Sequence, residues 1–141
     1  MQGQAAIFSQ ATDEWATPQW LFDKLNEEFH FTLDVCANED NAKCKTFFSK
    51  VQDGLQQQWD GVIWCNPPYG RQIKQWVKKA SEAASSGNTV VMLIPARTDT
   101  EWFHEYVYGK AEIRFIRGRV KFGGSKNNDP FPSMICVFRN Y

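Results

Sequence analysis

The apolar positions of the chain fall into two rhythms. In "TPQWLFDKLNEEF", Leu21, Phe22, Leu25 and Phe29 recur at helical spacing, with Thr17 set as an N-cap and Pro18 at the first helical position. The segment predicts an amphipathic helix. "RQIKQWVKKASEAASSG" repeats the rhythm, placing Ile73, Trp76, Val77, Ala80 and Ala84 on one face and ending at Gly87. Elsewhere the pattern shifts to short apolar runs of strand length: "FTLDVCA", "DGVIWC", "TVVMLIPA" and "PSMICVF". "AEIRFIRGRVKFGG" also reads as strand, with Gly118 and Gly123-Gly124 marking turns or bulges. "TDTEWFHEYV" has the capping-box form from Thr98 to Glu101 and predicts a short helix. The polar stretch "NEDNAKCKTFFSKVQDGLQQQW" predicts loop, with at most a short strand near Phe47 and Phe48.

Strands alternating with helices through the first two thirds imply βαβ units and a mostly parallel sheet, to which the strand-rich end adds antiparallel edge partners. The fold class is α/β. In open sheets of this kind ligands bind beyond the carboxyl ends of the strands, and two such ends carry polar side chains: Asp34 after "FTL" and Asn66 after "GVIWC".

Composition narrows the picture. A chain of 141 residues is about one domain, read here as residues 13–141 behind a flexible tail of residues 1–12. No apolar run reaches the roughly 18 residues of a membrane span, and the start lacks the layout of a signal peptide, so a soluble, cytoplasmic protein is expected. Sixteen basic residues balance sixteen acidic ones, so overall charge argues for no nucleic-acid partner. Their distribution says more: between Lys110 and Lys126, Arg114, Arg117, Arg119 and Lys121 stand against the single acid Glu112. Cys36, Cys44, Cys65 and Cys136 form no CxxC pair, and Cys65 and Cys136 lie in apolar runs that read as buried strands. Reduced thiols follow. His30, Cys36 and Cys44 match no zinc spacing, so no metal is expected.

The chemistry concentrates in "WCNPPYG". Two consecutive prolines cannot donate to a ladder, so the strand ends at Asn66. For a ligand carrying an amine conjugated to an aromatic ring, the Asn66 side-chain oxygen and a backbone carbonyl of the proline turn supply acceptors for both N–H groups. That is electrostatic preorganisation, and it needs no general base. Tyr69 offers a flat face for the ring, as base-processing enzymes use once a nucleotide is flipped out.

"NPPY" after an apolar strand looks like the catalytic motif of S-adenosylmethionine-dependent amino methyltransferases. The wider pattern "EWATPQWLFDKLNEEFHFTLDVCAN", "DGL", "WCNPPYG" and "LIPARTDTEWFHE" resembles the small phage-type DNA adenine methyltransferases of the Dam-like family, from about Trp15 to Phe138. The resemblance implies an abbreviated Rossmann-like methyltransferase fold, S-adenosylmethionine as cofactor and DNA as partner, in the cytoplasm of a bacterial host. It implies catalysis at Asn66, Pro67, Pro68 and Tyr69. Trp15, Thr17, Pro18, Asp34, Ala37, Asp53 and Asn66 would hold the cofactor; Tyr69, Arg97, Arg117, Arg119, Lys121 and Phe122 would meet DNA. Asp99 shares the Arg97 segment. The chain departs from most methyltransferases in one respect: "DVCANEDNAKC", after the first strand, contains no glycine. The alternatives are an amino methyltransferase acting on RNA or protein glutamine, or a non-catalytic nucleic-acid-binding module.

Overall fold

The amphipathic segment near the start folds as helix α1, Gln19–Phe29, burying Leu21, Phe22 and Leu25. Pro18, with extended backbone, takes the N-cap place expected of Thr17, and its carbonyl accepts the Leu21 and Phe22 N–H groups at 3.2 Å. His30 closes α1 in the left-handed region at φ 57°. The computed structural model describes residues 16–122 and 131–140. The tail of residues 1–12, Trp15 and Gly123-Gly124 lie outside the described residues.

After α1 come strand β1 (Leu33–Asp34), a 3-10 turn (Gly54–Gln56), strand β2 (Val62–Cys65) and helix α2 (Ile73–Ser85). Strand β3 (Thr89–Pro95), a π-helical turn (Phe103–Val107), strand β4 (Glu112–Phe115) and strand β5 (Ser133–Phe138) complete the order. The five residues placed on one face of α2 are all buried. The sheet runs β1-β2-β3-β5-β4, with β1, β2 and β3 parallel. Strand β5 pairs antiparallel with β3 on one side and with β4 on the other. The sheet is therefore mixed, with flanking helices, and is consistent with a Rossmann-like fold.

Three expectations are corrected. The last strand is an interior one: every residue of β5 is buried, and β4 forms the edge. The run "AEIRFIRGRVKFGG" is strand only to Phe115, since Gly118 at φ 76° turns the chain away. The polar stretch expected as loop with at most a short strand makes a single parallel bridge, Phe47 to Asp34. The helix cap is also displaced by two residues. Thr100, not Thr98, accepts the Phe103 N–H at 3.3 Å, while Glu101 reaches Lys74 Nζ at 2.8 Å instead of the backbone.

Candidate active site

A cavity of about 610 Å³ opens beyond the carboxyl ends of β1 and β2, within the range of small-molecule sites. Its walls bring together Thr17, Asp34, Ala37, Asp53, Asn66 and Pro68, which lie far apart in sequence. The strand ends do this work. Asp34 closes β1 and Asn66 follows β2, and the two strands are adjacent and parallel.

Asp34 is buried. Its Oδ1 accepts the Cys36 N–H at 3.2 Å and its Oδ2 the Lys43 N–H at 3.0 Å. Burial pushes its carboxyl up to about 6 against the opposing pull of those bonds and of Lys43. The glycine-free loop is braced by its own side chains. Asn38 Oδ1 accepts the N–H groups of Asp40 and Asn41 at 2.8 and 3.0 Å, and Asn41 Oδ1 accepts the Asn38 N–H at 2.7 Å. Such Asx turns provide a tight reversal without glycine.

Asp53 sits at φ 57°, uncommon for a residue with a side chain, and its Oδ1 accepts the Leu55 N–H at 3.1 Å. It caps the 3-10 turn and lines the cavity at once. Next to it, a Cβ on Gly54 would stand 2.1 Å from the Val35 carbonyl oxygen and 3.0 Å from the Trp76 ring. Only glycine fits there. Trp76 and Phe48 add aromatic walls, and the Trp76 indole N–H is buried with no hydrogen-bond partner among the described residues.

In the proline motif, Asn66 Nδ2 donates to Thr17 Oγ1 at 2.9 Å, so one end of the amide is held by the residue that leads into α1. Pro67 is buried, and Pro68 lines the cavity. Tyr69 lies outside the cavity lining. It is buried, donates its hydroxyl to the Leu93 carbonyl at 3.3 Å, and meets Phe122 edge-on at 6.2 Å and Phe131 at 5.2 Å. Pro18 serves as the α1 cap.

The remaining expected residues gather elsewhere. Arg97 is exposed, with its guanidinium 5.7 Å over the Phe131 ring, and Asp99 is exposed nearby. Arg117, Arg119 and Lys121 are exposed while Val120 and Phe122 between and after them are buried. Sequence reasoning missed Phe48, Trp76, Lys43 and Lys50 as lining residues. For Trp76 a signal existed: it stands in the first helical turn after the motif. The others lie in the irregular loop and carry no periodicity.

The thiols sit in the environments expected. Cys65 and Cys136 are fully buried, Cys36 and Cys44 half-buried, and none of the four is in a disulfide. Burial raises the Cys65 thiol well above its ordinary value. It is no nucleophile at neutral pH.

The model of the family described as DNA N-6-adenine-methyltransferase (Dam) matches residues 4–141. The chain belongs to that family. It is similar to the DNA N-6-adenine-methyltransferase of Haemophilus phage HP1 (strain HP1c1), at 34% identity over 135 residues covering 89% of this chain and 78% of the relative. A DNA N-6-adenine-methyltransferase of Escherichia phage T1 is 36% identical over 107 residues, which cover 74% of this chain and 44% of the relative. Membership in the Dam family agrees with the resemblance carried by "NPPY" and the blocks around it. Among the described residues of this Dam-family chain, no helix is long and apolar enough to cross a membrane.

Proposed function

We propose that the protein methylates the exocyclic N6 amino group of adenine in DNA, in the cytoplasm of a bacterial host, with S-adenosylmethionine held in the cavity beyond β1 and β2. The observation that carries the reading is the meeting of Asn66, Thr17 and Asp34 at one cavity. The donor set suits a zwitterionic sulfonium nucleoside: carboxylates at Asp34 and Asp53, ammonium groups at Lys43 and Lys50, aromatic walls at Phe48, Trp64 and Trp76. The orphaned Trp76 N–H adds a donor at the cavity wall. These residues fit the cofactor. When bound, it supplies an electrophilic methyl group.

Asn66 presents its side-chain oxygen to one amino hydrogen of the target base, while Thr17 holds the other end of the amide. A backbone carbonyl of the Pro67-Pro68 turn accepts the second hydrogen. Acceptors on both hydrogens draw the amine toward tetrahedral geometry and free its lone pair for in-line attack. This is preorganisation of a kind whose loss costs on the order of 10²–10³ in rate. The nitrogen loses one proton to water after transfer. Tyr69 stacks on the flipped base, which costs a few kcal/mol to extract, and Phe122 packs on its opposite face. Since the two rings meet edge-on at 6.2 Å, admission of a base between them requires the segment bearing Phe122 to move. Arg97, Arg117, Arg119 and Lys121 meet phosphates.

The test is transfer of labelled methyl from S-adenosylmethionine to unmethylated duplex DNA, with RNA and protein substrates in parallel. The expected product is N6-methyladenine in DNA, and Asn66→Ala lowers kcat by 10²-fold or more while still binding S-adenosylhomocysteine. Transfer to RNA or protein alone would replace DNA as the substrate. No transfer to any of them by a folded, cofactor-binding protein would overturn the enzymatic reading.

A further inference from the structure

The edge strand β4 points the same way as β1, β2 and β3, because β4 and β3 both pair antiparallel with β5. The register shows how closely their ends align. Phe115 faces Met134 across one ladder, and Met134 faces Ile94 across the other. Phe115 therefore stands at the carboxyl edge of the sheet, on the rim that carries Asn66, but at the opposite end of the strand order from the cavity.

From Phe115 the chain turns at Gly118 and returns to the proline motif, where buried Phe122 meets Tyr69 edge-on. Along this return Arg117, Arg119 and Lys121 are exposed, and residues 113–122 contain no acid. Arg114 does not share this exposed charge, since it forms a bidentate pair with Glu28 at 2.7 and 2.8 Å and a further bond to Glu112. Phe115 itself is 67% exposed, a large apolar ring at the head of three cations. An exposed ring beside a row of arginines and a lysine suits a polyanion with apolar faces between its charges.

We propose that Phe115 and the return segment form a track for duplex DNA, with Arg117, Arg119 and Lys121 on phosphates and Phe115 against sugars and bases flanking the target. The proposal rests on DNA being the substrate, and it extends that reading in two ways. It assigns a contact to Phe115, and it places the flank of the duplex along β4 and β5 instead of over the cavity beside β1. The Phe122 segment that must move to admit a base is the same segment that grips the flank. Binding of the flank and opening at Tyr69 are thereby coupled through one stretch of chain.

The test is fluorescence anisotropy of a labelled duplex with full-length protein over a range of salt concentrations, comparing Phe115→Ala, Phe115→Tyr, Arg117→Ala and Lys121→Ala. Phe115→Ala is expected to weaken binding about tenfold at every salt, leaving the salt slope unchanged, because a ring releases no counterions. Phe115→Tyr keeps the ring and binds within about twofold. Each cation variant lowers the salt slope by about one. S-adenosylhomocysteine binding, unchanged in all four, reports that the fold is intact. Duplex affinity equal to the natural protein's in Phe115→Ala overturns the proposal, as does a shift in mass by light scattering with no loss of DNA affinity, which would assign the ring to a second copy of the chain. A natural protein that methylates DNA while Phe115→Ala binds it normally leaves the function standing and removes only the track. Failure of the natural protein to bind any duplex would remove both.

Discussion

The two halves of the sheet handle polar groups in opposite ways. In the parallel half, β1 to β3, polar side chains turn inward and are hydrogen-bonded there: Asn66 to Thr17, 49 residues away, and Asp34 to the backbone of Lys43 in the loop that follows it. In the antiparallel half all of β5 is buried, apolar apart from Ser133, and the charges lie outside, where Glu28, Arg114, Glu112 and Arg139 form a chain of ion pairs. The difference teaches which ligand each half can take. Enclosed, desolvated groups discriminate a small molecule by its hydrogen bonds, whereas solvated charge on a rim suits a large polyanion.

The halves also answer pH with opposite signs, which gives the largest expected effect. Asp34 is ionised above its ordinary 3.8 in the unfolded chain but only above about 6 when folded, so between these values the folded chain binds the extra proton. Stability contributed by Asp34 therefore falls as pH rises through that window, by about 3 kcal/mol in all. Glu112 behaves in reverse. Its bonds to Arg114 and Arg139 hold it below its ordinary 4.5, so its contribution is present above that value and is lost as pH falls through the lowered one. Urea unfolding from about pH 2 to 7 checks both. Asp34→Asn is expected to remove about 3 kcal/mol of the decline with rising pH, and Glu112→Gln to leave that decline as it was. An unchanged slope in Asp34→Asn would show that the cavity acid titrates normally, and the electrostatic contrast between the halves would collapse.

A smaller effect separates a crowded glycine from an open one. At Gly54 a methyl group collides with the Val35 carbonyl, and the obstacle is backbone, which cannot step aside. Gly54→Ala is expected to destabilise by about 2 kcal/mol and to weaken S-adenosylhomocysteine binding several-fold, read by thermal unfolding and calorimetry. At Gly118 nothing stands within 4 Å of an added Cβ, and only the left-handed backbone resists. Gly118→Ala should cost about 1 kcal/mol and leave cofactor binding intact. Equal losses of cofactor affinity would mean that the cavity does not end where the parallel half ends.

What the sequence made legible follows the same division. Period carried helix α2, whose five apolar positions are all buried, because burial of one face leaves a repeating mark; run length carried strands β2 and β3, because burial of both faces leaves a continuous apolar run. The polar strand ends, Asp34 and Asn66, were readable from topology alone, since parallel strands deliver their carboxyl ends to one edge. Three features were not readable. The interior place of β5 depends on a pairing order that no local pattern encodes. The glycine-free stretch reads only as a departure from the usual methyltransferase loop, and the side-chain bonds through which Asn38 and Asn41 supply the reversal carry no sequence period. Thr17 has the composition of an N-cap, yet its hydroxyl is used 49 residues away on Asn66, and a tertiary hydrogen bond has no sequence period.

That last bond is the finest test of the parallel half. Thr17→Val keeps the shape of the side chain and removes its oxygen, so the Asn66 amide loses the acceptor that holds its Nδ2 end. The amide can then rotate, and its oxygen meets the target amine for a smaller fraction of encounters. Because valine keeps the shape of the wall that Thr17 gives the cavity and the loss falls on orientation, kcat is expected to drop about tenfold, with the Kd for S-adenosylhomocysteine changed by no more than about twofold. Thr17→Ser restores the hydroxyl and should recover most of the rate, an outcome that packing alone does not produce. If valine instead weakens cofactor binding and leaves kcat intact, Thr17 serves the cofactor and does not orient Asn66.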